Sequence, residues 1–312
     1  MKKLKIVLLG TSDFAVPTLK NLIAQKDYDL RAVVIQPDRP NKRGKKIEYV
    51  EMKKVVLAHD IPVFQPEKIK TQDACDQLRA YEADLFIVAA YGQILSQEIL
   101  DMPPMGCLNI HGSLLPDYRG AAPIHHAIID GKMTTGVTIM QVSLGMDEGD
   151  MLAKHEEPIT PTTTVGQLHD RLAEAGADLL ITTIEKLRKG QITPEAQDAS
   201  QATYADKVDR YTGKIDFSET SFNVLRRING TDPYPGAWCG SGQEKLKLFQ
   251  PEIIDYVGEE TPGTLLYADN KKGLIIKTAD GAIKIKVIQV AGKKKMPACE
   301  FFKGHSLKVN QF

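Results

Sequence analysis

The chain has 312 residues, of which 42% are hydrophobic, enough for a buried core and for two domains. Lys plus Arg equals Asp plus Glu at 40 each, so the formal net charge is zero; any polyanion must be bound by a local patch and not by a wholesale basic surface. The four cysteines (Cys75, Cys107, Cys239, Cys299) form no C-x-x-C pair, which argues against a zinc motif or a dense disulfide framework and suits a reducing cytosol.

The basic start, Met1 to Leu4, precedes an apolar run too short for a secretory signal. No stretch is long enough to span a bilayer, so a cytoplasmic protein is expected. Lys5–Leu9, ending in Gly10, reads as a first buried parallel strand, and Thr11 to Asp13 offer caps for a helix from Phe14. The Gly10-Thr11-Ser12-Asp13-Phe14 turn is not G-x-G-x-x-G, so a dinucleotide site is unsupported. Leu30–Ile35 is the second strand. The loop from Gln36 to Glu48 carries Arg39, Lys42, Arg43, Lys45 and Lys46 among Pro and Gly. Its composition suits either a solvated connection or a loop that contacts phosphates without reading sequence.

A helix to about Leu57, a short Val63-Phe64 strand and a helix over Thr71–Tyr81 follow. Asp84–Ala90 is a continuous apolar run, again a buried strand, and Tyr91-Gly92-Gln93-Ile94-Leu95 leaves its carboxyl end, where open α/β sheets bind ligands. A strand ending at His111, a helix over about Ala121–Ile129, a strand over Gly136–Val142 and a helix over Val165–Leu187 complete a doubly wound parallel pattern. The long helix places Leu168, Leu172, Ala175, Leu179 and Ile184 roughly on one face. Residues 1–189 form one domain in this reading, and the polar segment 190–207 reads as a linker. Residues 208–312 hold a short helix near Phe222–Ile228 and short strands at Lys245–Phe249, Gly263–Tyr267, Gly273–Lys277 and Ala282–Val290, the pattern of a small β-barrel.

Asn109 and His111 stand two apart, so an extended segment sends both side chains to one face. Gly112 breaks the strand and Pro116 fixes the turn after it. Taken alone, the pair reads first as a satisfied core amide with a surface imidazole, and only second as a carbonyl-polarising donor beside a proton carrier. The acidic turn Gly145-Met146-Asp147-Glu148-Gly149-Asp150 lacks the spaced ligands of a calcium loop, and no G-x-S-x-G surrounds Ser113. The remaining histidines show no metal-ligand spacing.

Asn109-x-His111-Gly112-Ser113-Leu114-Leu115-Pro116, then Arg119-Gly120-Ala121-Ala122-Pro123-Ile124 and Asp147-x-Gly149-Asp150, resembles the signature of the formyltetrahydrofolate-dependent formyltransferases. Gln36-Pro37-Asp38-Arg39-Pro40, Arg43-Gly44-Lys45-Lys46 and Pro233-Tyr234-Pro235-Gly236-Ala237-Trp238 extend the resemblance over essentially the whole chain, toward members whose acceptor is a charged initiator tRNA. It departs mildly at Phe217, where Trp is more usual, and at Asn41-Lys42 before Arg43.

The resemblance implies an α/β fold: a Rossmann-like, doubly wound, mostly parallel sheet with a C-terminal OB-like barrel. It implies transfer of a formyl group from 10-formyltetrahydrofolate, with no metal, to the α-amino group of methionyl initiator tRNA. Asn109 would donate to the oxyanion, His111 would help hold it and relay protons, and Asp147 would either fix the imidazole or bind the water that carries the proton. Ser113, Leu114, Leu115 and Pro116, with Gln93, Ile94 and Leu95, would line the folate pocket. Arg39, Lys42, Arg43, Lys45 and Lys46 would contact tRNA, Arg43 reaching the acceptor stem. A monomer is expected. A sister enzyme formylating a sugar nucleotide or glycinamide ribonucleotide would have no use for the basic loop and the barrel. A pure RNA-binding module would have no use for the catalytic set.

Overall fold

A computed structural model describes residues 2–40, 48–240, 245–307 and 309–312. The chain divides into two compact units. One comprises Met1–Gly120, Gly136–Glu157 and His169–Tyr204; the other comprises Ala121–Thr135, Pro158–Leu168 and Ala205–Phe312.

The first unit is built on β1 (Leu4–Gly10), α1 (Val16–Ala24), β2 (Tyr28–Val34), α2 (Glu51–Ala58), β3 (Val63–Phe64), α3 (Gln72–Ala80), β4 (Leu85–Ala89), α4 (Gln97–Leu100), β5 (Cys107–His111) and β6 (Arg119–Gly120). After α5 (Pro123–Ile129) come β7 (Thr134–Gln141), β8 (Met151–Pro158) and α6 (Val165–Arg188). The strands lie in the order β3-β2-β1-β4-β5-β7-β8. The pairs from β3 through β5 are parallel, whereas β5 and β7 are antiparallel. Ile6 to Leu9 of β1 are all buried, as expected of a parallel strand covered on both faces. Val7, Leu9, Val34, Phe86 and Leu78 share one core cluster.

Strand order reverses between β1 and β4, and ligands of open α/β sheets bind outside the carboxyl ends at such a switch. There the Thr11 amide donates to the Ala90 carbonyl (3.3 Å), and the Thr11 hydroxyl donates to the Tyr91 carbonyl (3.1 Å).

Besides the antiparallel β7, two features depart from the sequence reading. β8 is a strand that its polar Lys154–Glu157 stretch conceals; it is an edge strand with one largely exposed face. In α6 the buried line after Leu172 runs through Ala173, Ala177, Leu180 and Ile184, and Ala175 and Leu179 are only half-buried. The reason is Gly176: a Cβ there would lie 2.7 Å from Ile110 Cγ2 and 3.1 Å from Val137 Cγ2, so the helix backbone rests directly on β5 and β7.

The second unit holds α5, β9 (Tyr204–Ala205, at its boundary), α7 (Ser221–Asn229), β10 (Trp238–Cys239), β11 (Leu246–Ile254), β12 (Leu265–Asp269), β13 (Gly273–Lys277), β14 (Ala282–Val290), β15 (Met296–Pro297) and α8 (Ala298–Phe301). Its curled sheet runs β10-β11-β14-β13-β12, with β15 added on β14, and all these pairings are antiparallel, as in an OB-like domain. The Thr220 hydroxyl caps α7 by accepting from the Asn223 amide (3.2 Å). Val224, Leu225 and Ile228 of that helix join Leu248, Ile276 and Ile285 in one core. Phe217 is buried in the same core and stacks on Phe312 at 6.4 Å.

Gly176→Ala should destabilise the chain: overpacking costs about 1–3 kcal/mol, against at most ~1 kcal/mol gained in helix propensity. Chemical denaturation decides the sign, and a stabilised variant would refute the close approach of α6 to β5 and β7. A second expectation concerns Cys107 at the start of β5. Burial, aided by the Asp101 charge, pushes its thiol pKa up to about 12. At pH 8 only about one thiol in 10⁴ is then the reactive thiolate. Burial raises the Cys75 and Cys239 thiols too, whereas Cys299 is half-buried. Iodoacetamide should therefore label one thiol in the native protein and all four after denaturation, as counted by intact mass.

Candidate active site

β5 is set by its neighbours. Val88 of β4 pairs with Asn109, and Met140 and Thr138 of β7 pair with Asn109 and His111. Because strand side chains alternate, Asn109 and His111 leave one face. Asn109 is half-buried, and among the described residues its side-chain amide has no hydrogen-bond partner. A polar group left open at the end of a core strand has its donor free for a ligand.

His111 is 5% exposed. Its Nε2 lies 2.9 Å from the Tyr118 carbonyl, which can only accept, so Nε2 carries the hydrogen and donates. Nδ1 is therefore the nitrogen that can take a further proton. It faces Asp147 Oδ2 at 3.6 Å, too long for a hydrogen bond but close enough for the carboxylate to balance an imidazolium.

Two loops bring these groups together. In the loop after β5, the Thr138 hydroxyl donates to the Ser113 carbonyl (2.7 Å) and accepts from the Leu115 amide (3.1 Å), and the Ser113 hydroxyl donates to the Asp117 carbonyl (2.5 Å). Tyr118 then takes a left-handed conformation, φ 60°, which aims its carbonyl at His111. In the loop between β7 and β8, Asp147 is also left-handed, φ 52°. Such a conformation costs a non-glycine residue about 1 kcal/mol or more, so other contacts must hold it. One is the Gly120 amide, which donates to Asp147 Oδ2 at 2.8 Å. Gly149 must lack a side chain, because a Cβ would fall 1.9 Å from the Gln141 carbonyl oxygen.

The expected folate-lining residues divide into two groups. Ser113, Leu115 and Leu95 are buried, and Leu115 packs on Met140 and Met151. Leu114, Pro116 and Gln93 are half-buried, and Ile94 is 69% exposed. The Gln93 side chain ties down a neighbouring loop, accepting from the Ile69 amide at 2.8 Å. Gly92 and Ile94 on either side of it are exposed beyond β4. Of the expected tRNA-contacting residues, Arg39 is exposed and pairs with Glu67 at 2.5 Å. Lys42, Arg43, Lys45 and Lys46 lie outside the described residues.

Residues that sequence reading left unassigned also converge here. Tyr118 and Thr138 orient the histidine loop. Gln197, from the expected linker, reaches the Asp147 loop, and the Thr203 hydroxyl accepts from the Tyr118 amide (2.8 Å). The one sequence signal was Tyr118's position, directly before the Arg119-Gly120 stretch of the motif; Thr138, Gln197 and Thr203 carried none.

A family model described as formyl transferase matches residues 3–184, and one described as formyl transferase, C-terminal domain, matches residues 207–306. Methionyl-tRNA formyltransferase of Clostridium acetobutylicum is 43% identical over 305 residues, covering 97% of both chains. That of Desulfotalea psychrophila is 45% identical over 303 residues, covering 97% of this chain and 93% of its own. Two solved structures share the fold. The N-formyltransferase of Helicobacter canadensis, in complex with folinic acid and dTDP-3-aminofucose, has a TM-score of 0.64 at 19% identity, covering 95% of this chain and 100% of its own. HypX from Aquifex aeolicus, in complex with tetrahydrofolic acid, has a TM-score of 0.63 at 19% identity, covering 96% of this chain and 47% of its own. With matches to both family models and near-full-length identity above 40% to curated relatives, this chain belongs to the methionyl-tRNA formyltransferase branch of the formyltransferase family.

Proposed function

We propose that the chain transfers the formyl group of 10-formyltetrahydrofolate to the α-amino group of methionyl initiator tRNA, giving formylmethionyl-tRNA for translation initiation. The observation that carries this reading is the Asn109 amide on β5, unpartnered among the described residues, beside the His111–Asp147 pair. The near-full-length likeness to methionyl-tRNA formyltransferases supports the choice of acceptor. No described helix is long and apolar enough to cross a membrane. A cytoplasmic monomer is part of the proposal.

The donor fits the site's chemistry: an acyl transfer needs one open oxyanion donor and one proton carrier, and both are present. Bound formyltetrahydrofolate supplies the formyl carbon and the nitrogen that departs from it. Asn109 donates its amide N–H to the formyl oxygen as negative charge grows there, a contribution of about 3 kcal/mol to lowering the barrier. His111 Nδ1 takes the proton from the attacking amine, and Asp147 Oδ2 balances the charge so created. The same nitrogen returns the proton to the departing amine. The Tyr118 carbonyl keeps the ring from rotating between these steps. Backbone around Gln93 and Ile94, with Ser113 to Pro116, forms the wall against which the folate lies.

Residues 1–189 carry the chemistry in this proposal, and residues 208–312 share tRNA binding with the basic loop. Lys245 lies 3.6 Å from the Trp238 ring centroid, a paired cation and π-face of the kind used on nucleic-acid strands. Burial and then the charges of Lys245 and Lys295 hold the Lys247 ammonium below the usual lysine range, a clustering that a polyanion relieves. Arg39 exchanges its exposed pairing with Glu67 for a phosphate at little cost, since such surface pairs contribute about 0–1 kcal/mol.

Incubation with formyl donor and charged initiator tRNA, with formylmethionine as product, tests the activity. Asn109→Ala should lower kcat about 10²–10³-fold while folate affinity changes little. Near-normal turnover in that variant would remove Asn109 from the mechanism. For the loop, replacing Lys42, Lys45 and Lys46 with Gln should flatten the slope of log K for tRNA against log salt by roughly 0.7–0.9 for each phosphate no longer neutralised. Equal slopes, together with wild-type kinetics for Arg43→Ala, would leave the loop a plain connection.

A further inference from the structure

We infer that Gln197, anchored by Arg119, is a positioning residue for Asp147 in the formyl-transfer site. The inference rests on the role proposed for Asp147 above. Arg119 is 4% exposed and has no carboxylate partner among the described residues. Its Nε and Nη2 both donate to Gln197 Oε1, at 3.0 and 2.8 Å. A guanidinium only donates, so the amide orientation is fixed by chemistry. Gln197 Nε2 is thereby turned toward the acidic turn, where it donates to the carbonyls of Asp147 and Gly149, each at 2.8 Å.

One dipeptide thus grips Asp147 at both ends. The Gly120 amide holds the carboxylate, and the Arg119 side chain, through Gln197, holds the main chain. The grip falls on a residue in the left-handed region, in a turn with no ladder of its own. Released, that turn has conformations open to it that carry Oδ2 away from His111 Nδ1. Glutamate could not replace Gln197, since a carboxylate oxygen would then face two carbonyl oxygens. In the same segment Glu195 bridges to Met151 through two main-chain bonds, at 2.8 and 2.9 Å.

The test is a double-mutant cycle in the full chain. Gln197→Met should lower kcat about 10–100-fold with KM for tRNA and for folate within about threefold, because the clamp acts on proton transfer and not on binding. In the Asp147→Asn background the same change should cost less than about twofold, since the group it positions is already disabled. Arg119→Lys, which keeps the charge but offers a single-point donor, should cost a milder 3–10-fold and guards against a Gln197 variant that does not fold. Wild-type kcat in Gln197→Met or Arg119→Lys, or a Gln197 effect that multiplies in full with Asp147→Asn, would overturn the inference. A wild-type enzyme that fails to formylate methionyl-tRNA, or an Asp147→Asn enzyme with undiminished kcat, would instead overturn the functional reading beneath it.

Discussion

The register of β5 between β4 and β7 is the constraint on which the site depends. Asn109 and His111 share a face because β5 is extended, and the register places Val88 and Met140 beside Asn109 and Thr138 beside His111. A slip of one residue would exchange them with Leu108 and Ile110, which are buried on the other side. The hydrophobic pattern therefore protects this register: Ile110 packs beneath Gly176 of α6, which leaves Asn109 and His111 on the opposite face. Stability and chemistry are enforced here by the same alternation.

A strand end alone gives direction but not electrostatics. Those come from two irregular loops, each carrying a residue in the left-handed region. Tyr118 aims a carbonyl at His111 Nε2, and Asp147 aims a carboxylate toward Nδ1. The imidazole is thus addressed from both nitrogens and has one proton-accepting position. The conformational cost of the two residues is offset by hydrogen bonds from Thr138, Gly120, Gln197 and Thr203, all donated or accepted across long sequence separations. Strain held in this way is strain with a use, since a relaxed turn would have no reason to point at the histidine.

The second unit works by a different physics. Its curled antiparallel sheet and α7 close a small apolar core, and its polar face carries cations stacked on aromatic rings, such as Lys245 on Trp238 and Lys272 on Tyr267 at 3.6 Å each. Such pairs need no shape-matched pocket and no sequence readout. They suit a partner recognised by charge and stacking.

Much of this was legible in the sequence. Buried parallel strands betray themselves as continuous apolar runs, so β1 and β4 could be read within a residue or two; of the second unit's short strands β12, β13 and β14 could be read as closely, whereas β11 runs five residues past the expected Phe249. The motif around Asn109, His111 and Asp147 was equally plain, because residue type and spacing are local properties. The antiparallel direction of β7 was not legible, since alternation has no polarity, and β8 was hidden because an edge strand need not be apolar. Nor could any local pattern say that Ser113, Leu115 and Leu95 face inward while Ile94 stays exposed. Gln197 shows the boundary most clearly. In sequence it is one polar residue in a polar segment, 78 positions from Arg119 and 50 from Asp147. Only the folded chain brings its two-sided amide between a buried guanidinium that must donate and two carbonyls that must accept. The sequence by itself determined which groups could do the chemistry; the tertiary structure decided how they are held, because that rests on hydrogen bonds between residues with no local relation.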